Sequence, residues 1–112
     1  MPGRAGGKLS SEECALFCEE AAMFLRAGVP LHEGVEVLWE SHRDTPRAAA
    51  FARVEEAVAR TGLLSTGVAA AGIFPEYLAG MVLIGEKSGC LEAALAALGS
   101  FYRRDTRMRA AV

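Results

Sequence analysis

The chain has 112 residues, enough for one domain with a single buried core. Hydrophobic residues make up 52% and charged residues 23%, and alanine and leucine outnumber β-branched residues, which favours helix and argues against disorder. Residues 1–102 carry eight Lys/Arg against thirteen Asp/Glu, a balance of −5, which disfavours a general nucleic-acid partner; residues 103–112 carry four arginines against one aspartate, a balance of +3.

Residues 1–8 lack an apolar stretch, so they read as a flexible leader and not a signal peptide. Ser10 with Glu13 forms a capping box that opens a first helix running to about Ala27. Its apolar stripe is Cys14, Phe17, Cys18, Ala21, Phe24 and Leu25, with Glu12, Glu13, Glu19 and Glu20 mostly opposite. Gly28 ends it, and Pro30 stands at or near the start of a second helix that carries Leu31, Val35, Leu38 and Trp39 and fades by His42. Asp44-Thr45-Pro46 gives a cap and a proline that open a third helix through Phe51, Val54 and Val58 to Gly62. A short fourth runs from Leu64 to about Ala71, weakened by Gly67 and Gly72. Pro75 starts the fifth, with Leu78, Met81, Val82 and Gly85. Leu91, Leu95, Leu98 and Phe101 or Tyr102 mark the sixth. The longest apolar run, Leu78 to Gly85, is far below the roughly 20 residues of a spanning helix.

A loose repeat organises these helices. Gly28-x-x-Leu31-x-x-Gly34, Gly62-x-Leu64-x-x-Gly67 and Gly89-x-Leu91-x-x-Ala94 each pair a left-handed stop with a leucine and a small residue at a crossing. The expected fold is all-α, a six-helix bundle built of three antiparallel helical hairpins.

Catalytic chemistry is not visible. His32 and His42 lack matching ligands beyond Glu36, and Cys14 with Cys18 supplies two soft donors where a structural metal needs four, so buried cysteines and surface histidines are expected. Gly85-x-x-x-Gly89 has neither the frame nor the preceding strand of a phosphate loop. No enzyme, cofactor or metal site is therefore expected. Glu86 reads as a hairpin brace whose carboxylate accepts from backbone N–H groups at a neighbouring helix start; the alternative puts it against a partner or an ion.

Phe74-Pro75, Gly85-Glu86-x-Ser88-Gly89-x-Leu91 and a trailing Tyr102 resemble the cytoplasmic domain of the type II secretion system F family, the inner-membrane platform proteins of type II secretion and type IV pilus assembly. Phe24-Leu25-x-Ala27-Gly28-Val29-Pro30-Leu31 is similar to that family's first turn, and the likeness extends from about Leu9 to Val112. The resemblance implies a noncatalytic scaffold over residues 9–112, at the cytoplasmic face of the inner membrane, contacting the assembly ATPase and other inner-membrane components and pairing with itself. It also gives Arg103, Arg104, Arg107 and Arg109 a juxtamembrane meaning, basic residues just before a span outside this chain; a cation cluster at a helix C-terminus is the plainer reading. The alternatives are a free-standing soluble helical adaptor and a helix-turn-helix DNA-binding module over Gly28 to Trp39, the latter opposed by Glu33, Glu36 and Glu40.

Overall fold

In the computed structural model, which describes residues 7–111, the chain is helical from its first cap. Ser10 Oγ accepts from the Glu13 N–H at 3.1 Å, and the Glu13 carboxylate accepts from the Ser10 N–H at 2.8 Å. That reciprocal pair opens α1, Ser11–Arg26. It is followed by α2, Leu31–His42; α3, Ala48–Thr61; α4, Leu64–Ala71; α5, Glu76–Lys87; and α6, Leu91–Ala110. Among the described residues there are no strands, and no helix is long and apolar enough to cross a membrane. Residues 1–6 of the expected leader lie outside the described residues. Its last two, Gly7 and Lys8, are tied down: their carbonyls accept from the Arg47 guanidinium at 2.6 and 3.3 Å.

Each helix packs on the next, and α6 returns to lie along α1 in the broadest contact of the molecule. The seam between α1 and α2 is the narrowest of these contacts. Three aromatic rings from separate segments anchor the core: Phe17 lies 4.8 Å from Phe74 and 6.1 Å from Phe51, centroid to centroid. Leu64, Leu78, Leu95 and Leu98 fill the layers beside them, each essentially inaccessible to solvent. Cys14 and Cys18 are buried with this cluster, and loss of solvent pushes both thiols up to about 12, leaving them protonated and inert at neutral pH.

Three details differ from expectation. Helix α3 begins at Ala48, not at Pro46, because the Thr45 hydroxyl accepts from the Arg47 N–H at 3.2 Å and holds a turn there; Asp44 is exposed and caps nothing. Gly72 does not weaken α4 but ends it, with φ at 71°. Of the two candidates Phe101 and Tyr102, it is Tyr102 that enters the core, as the expectation allowed, and α6 runs on to Ala110. Finally, His42 is no surface histidine: its ring stacks on Phe51 at 4.0 Å.

Candidate functional site

The segment from Phe74 to Leu91 brings together most of the motif residues, and each has a mechanical task. Phe74 is buried against Phe17, which fixes where α5 starts. Pro75, locked near φ −61°, is the residue just before the first turn of α5, where its missing N–H leaves no gap. At the other end of α5, the Ser88 hydroxyl donates to the Ile84 carbonyl at 2.8 Å. Gly89 then takes the left-handed conformation, φ 74°, so that the Cys90 N–H closes onto the Gly85 carbonyl at 2.8 Å. Leu91 opens α6 half-buried against the core.

Gly85 is where the two helices touch. A Cβ there would sit 2.7 Å from the Ala94 Cβ and 3.3 Å from the Leu91 Cα, closer than side chains pack. Glu86, the next residue, turns the other way and reaches α4. Its Oε2 accepts from the Ser65 N–H at 3.1 Å, and its Oε1 accepts the Ser65 hydroxyl. Ser65 lies in the first turn of α4, where backbone N–H groups lack intrahelical partners, so the half-buried carboxylate and the orphan donor satisfy each other. The motif thus ties three helices at one corner.

The first turn uses the same backbone device. Gly28, φ 83°, lets the Val29 N–H reach the Phe24 carbonyl at 2.9 Å. Pro30 is the residue before α2, and its carbonyl accepts from Glu33 and Gly34 N–H groups; Leu31 turns back onto the core, half-buried. A Cβ at Gly34 would lie 3.2 Å from the Phe24 Cβ, Cγ and Cδ2, so this crossing is close as well, though less so than at Gly85.

The basic end divides into two pairs. Arg103 grips Glu19 of α1 with two hydrogen bonds, 3.1 and 2.8 Å. Arg109 donates to Asp105 at 2.7 Å, and Asp105 also accepts the Ser11 hydroxyl. The Arg103 hydrogen bond holds the Glu19 carboxyl below the usual carboxylate range; the Ser11 hydroxyl, then Arg109, does the same for Asp105. Arg104 and Arg107 are exposed and have no ion pair among the described residues.

Metal and acid–base chemistry find no constellation here. His32 is exposed on α2, whereas His42 has its Nδ1 2.8 Å from the Leu38 carbonyl oxygen. No three of the His, Cys, Asp and Glu side chains among the described residues converge as a metal set would. Sequence reasoning overlooked two residues that matter. Arg47 joins Glu13 to the backbone of Gly7 and Lys8, a role no local pattern signals. Gly99 sits beside Leu98 on the buried strip, and a Cβ there would lie 3.0 Å from the Glu19 Cγ, so it admits α1 against α6. A glycine inside an otherwise regular helical stripe was the available clue.

Comparison with known proteins agrees with the geometry. Residues 17–112 match the family model for the type II secretion system (T2SS), protein F. The type 4 fimbrial assembly protein PilC of Pseudomonas putida is 36% identical over 89 residues, which is 79% of this chain and 22% of that protein's length. The chain therefore spans about a fifth of this relative. By the family match over most of its length, this chain belongs to the type II secretion system protein F family.

Proposed function

We propose that the chain is the cytoplasmic helical domain, residues 9–112, of an inner-membrane platform protein of type II secretion or type IV pilus assembly. In this reading it is a noncatalytic scaffold that needs no cofactor. Consecutive helices act as three antiparallel hairpins, a rigid body that passes motion from the assembly ATPase to the pilin or pseudopilin being assembled. It pairs with a second copy and contacts other inner-membrane components. The end of α6, from Arg103 to Ala110, would face the membrane, with Arg104 and Arg107 toward the lipid headgroups and a span outside this chain beyond them.

The observation that carries this reading is the family match over residues 17–112 combined with the use of its motif residues for packing: Gly85 at a helix contact and Glu86 on a helix start. Co-purification of the chain with the assembly ATPase from the same genome tests it. Reversing the exposed acidic face of α2 (Glu33, Glu36 and Glu40 to Lys) and the exposed Glu12 of α1, separately, should identify a face whose reversal releases the ATPase. No complex with the unaltered chain, or a complex indifferent to every reversal, would overturn docking through acidic faces.

A further inference from the structure

Glu13, Leu16, Phe17 and Glu20 fall at spacings of 3, 1 and 3, one strip of α1 that looks toward the end of α2. There the narrow α1–α2 seam opens into a cleft of about 250 Å³, walled by Ser41 and His42, floored by Phe17 and Phe51, and closed at one end by Leu9 and by Arg47, whose guanidinium is held by Glu13 and the Gly7 and Lys8 carbonyls. This is below the roughly 300–1,000 Å³ of a small-molecule pocket and is of the size of one long side chain.

Most of its polar groups are engaged. Glu13 accepts from the Ser10 N–H and from Arg47, the Ser41 hydroxyl donates to the Val37 carbonyl, and the His42 ring is stacked on Phe51. Glu20 is the exception. It is half-buried, lines the cleft, and has no hydrogen bond or ion pair among the described residues. A carboxylate in a cleft wall with no partner of its own is free to accept from a cation. Beside it Leu16, 46% exposed, offers an apolar lip, and Met23 lies one further turn along α1, 50% exposed.

An apolar floor ending at one unmet carboxylate complements an aliphatic stem ending in a cation. We propose that this cleft seats a single arginine or lysine side chain presented by a partner protein. Its stem would lie over Leu16 and Phe17, its cation at Glu20, and flanking apolar residues of the partner on Leu16 and Met23. The −5 balance of residues 1–102 draws such a segment in. Arginine is the better occupant, since its planar fork meets a carboxylate with two hydrogen bonds. This proposal rests on the reading of the chain as a protein-binding scaffold, but not on which machine it serves.

The test uses the full chain, labelled with nitrogen-15, and two helical peptides of alternating apolar and neutral polar residues that differ only at the centre, arginine in one and glutamate in the other. The arginine peptide should shift the amides of Leu16, Glu20, Ser41 and His42, and the glutamate peptide should bind at least about tenfold more weakly. Glu20→Gln, which keeps shape and removes charge, should weaken the arginine peptide by about tenfold, while Glu76→Gln at the exposed start of α5 should leave it unchanged. Equal binding of the two peptides, shifts elsewhere than the cleft, or indifference to Glu20→Gln would overturn the proposal. So would arginine amide alone binding as tightly as the peptide, which would make the cleft a small-molecule site. The peptide result is independent of ATPase co-purification, so either reading can fail without the other.

Discussion

The α1–α2 turn and the α5–α6 turn share one backbone device and differ in everything that surrounds it. Both use a left-handed glycine, Gly28 at φ 83° and Gly89 at φ 74°, followed by a leucine that re-enters the core. At the last turn the helices meet with no room to spare, because Gly85 lies against Ala94, and a carboxylate links the corner to α4. At the first turn a Cβ on the crossing glycine, Gly34, would lie 3.2 Å from the Phe24 Cβ and ring, no side-chain hydrogen bond joins α1 to α2 among the described residues, and the cleft between these helices lies at their other ends, beside Ser41 and His42. The same turn chemistry therefore yields one corner tied to a third helix and one without such a tie. What decides between them is the residue at the crossing and the polar tie beside it, not the turn.

The strongest way to break the contrast is to add bulk at the locked corner. Gly85→Val should destabilise the chain by about 3 kcal/mol, since the branched side chain must displace α6 from Ala94 and Leu91. Thermal unfolding should show this as a drop in Tm of ~10 °C. A Gly85→Val protein that melts with the parent would mean that α5 and α6 do not meet at this point.

Removing the tie should cost less. Glu86→Ala leaves the Ser65 N–H and hydroxyl without their acceptor in a half-buried place, a loss of about 2 kcal/mol in denaturant unfolding. Glu86→Gln keeps one carbonyl acceptor and should recover roughly half of that. If Gln behaves like Ala, charge and not hydrogen bonding is what α4 requires, consistent with the positive end of a helix.

At the first turn the corresponding change should be mild. Gly34→Ala brings a Cβ to 3.2 Å from Phe24, but it also removes a helix-interior glycine, and the two effects of about 1 kcal/mol oppose each other. Unfolding should stay within about 1 kcal/mol of the parent. A large loss would place the rigid crossing at the first turn as well and undo the comparison.

Much of this arrangement was readable before any coordinates. The six helices follow from stripes and stops: Ser10 with Glu13 opens α1, and Gly28, Gly62 and Gly89 close α1, α3 and α5 with the positive φ that only glycine adopts easily. The kind of role Glu86 plays was readable too, since a lone carboxylate among apolar residues next to a turn needs donors. Its partner was not, because Ser65 stands 21 residues away and nothing local points to it. Long-range ties were invisible for the same reason. Arg103 looked like one of four equivalent arginines, yet it is held by Glu19 from the opposite end of the chain, while Arg104 and Arg107 are not held. Asp44-Thr45-Pro46 misled because Thr45 and Asp44 are both plausible caps by composition, and the hydroxyl serves a turn instead.

The last and smallest effect concerns how α1 is secured in the absence of a firm α1–α2 seam. It is clasped from the other side by α6, through Glu19 with Arg103 and through Asp105, which accepts from Ser11. Both carboxyls titrate lower in the folded chain than in the unfolded one, Glu19 through the Arg103 hydrogen bond and Asp105 chiefly through Ser11. Folding therefore releases protons in the acid range, and the contribution of these ties is complete above the ordinary carboxylate range and lost as pH falls through their lowered values. Between pH 5 and pH 3, hydrogen exchange at the amides of Thr106 to Ala110 should quicken more than at the buried stretch of α5 from Leu78 to Val82, after correction for intrinsic rates. Glu19→Gln should remove part of that pH dependence while leaving the Glu86 corner unchanged. Equal acid sensitivity in both stretches would mean that α6 loosens only with the whole fold, and that α1 depends on its core contacts and not on these carboxylates.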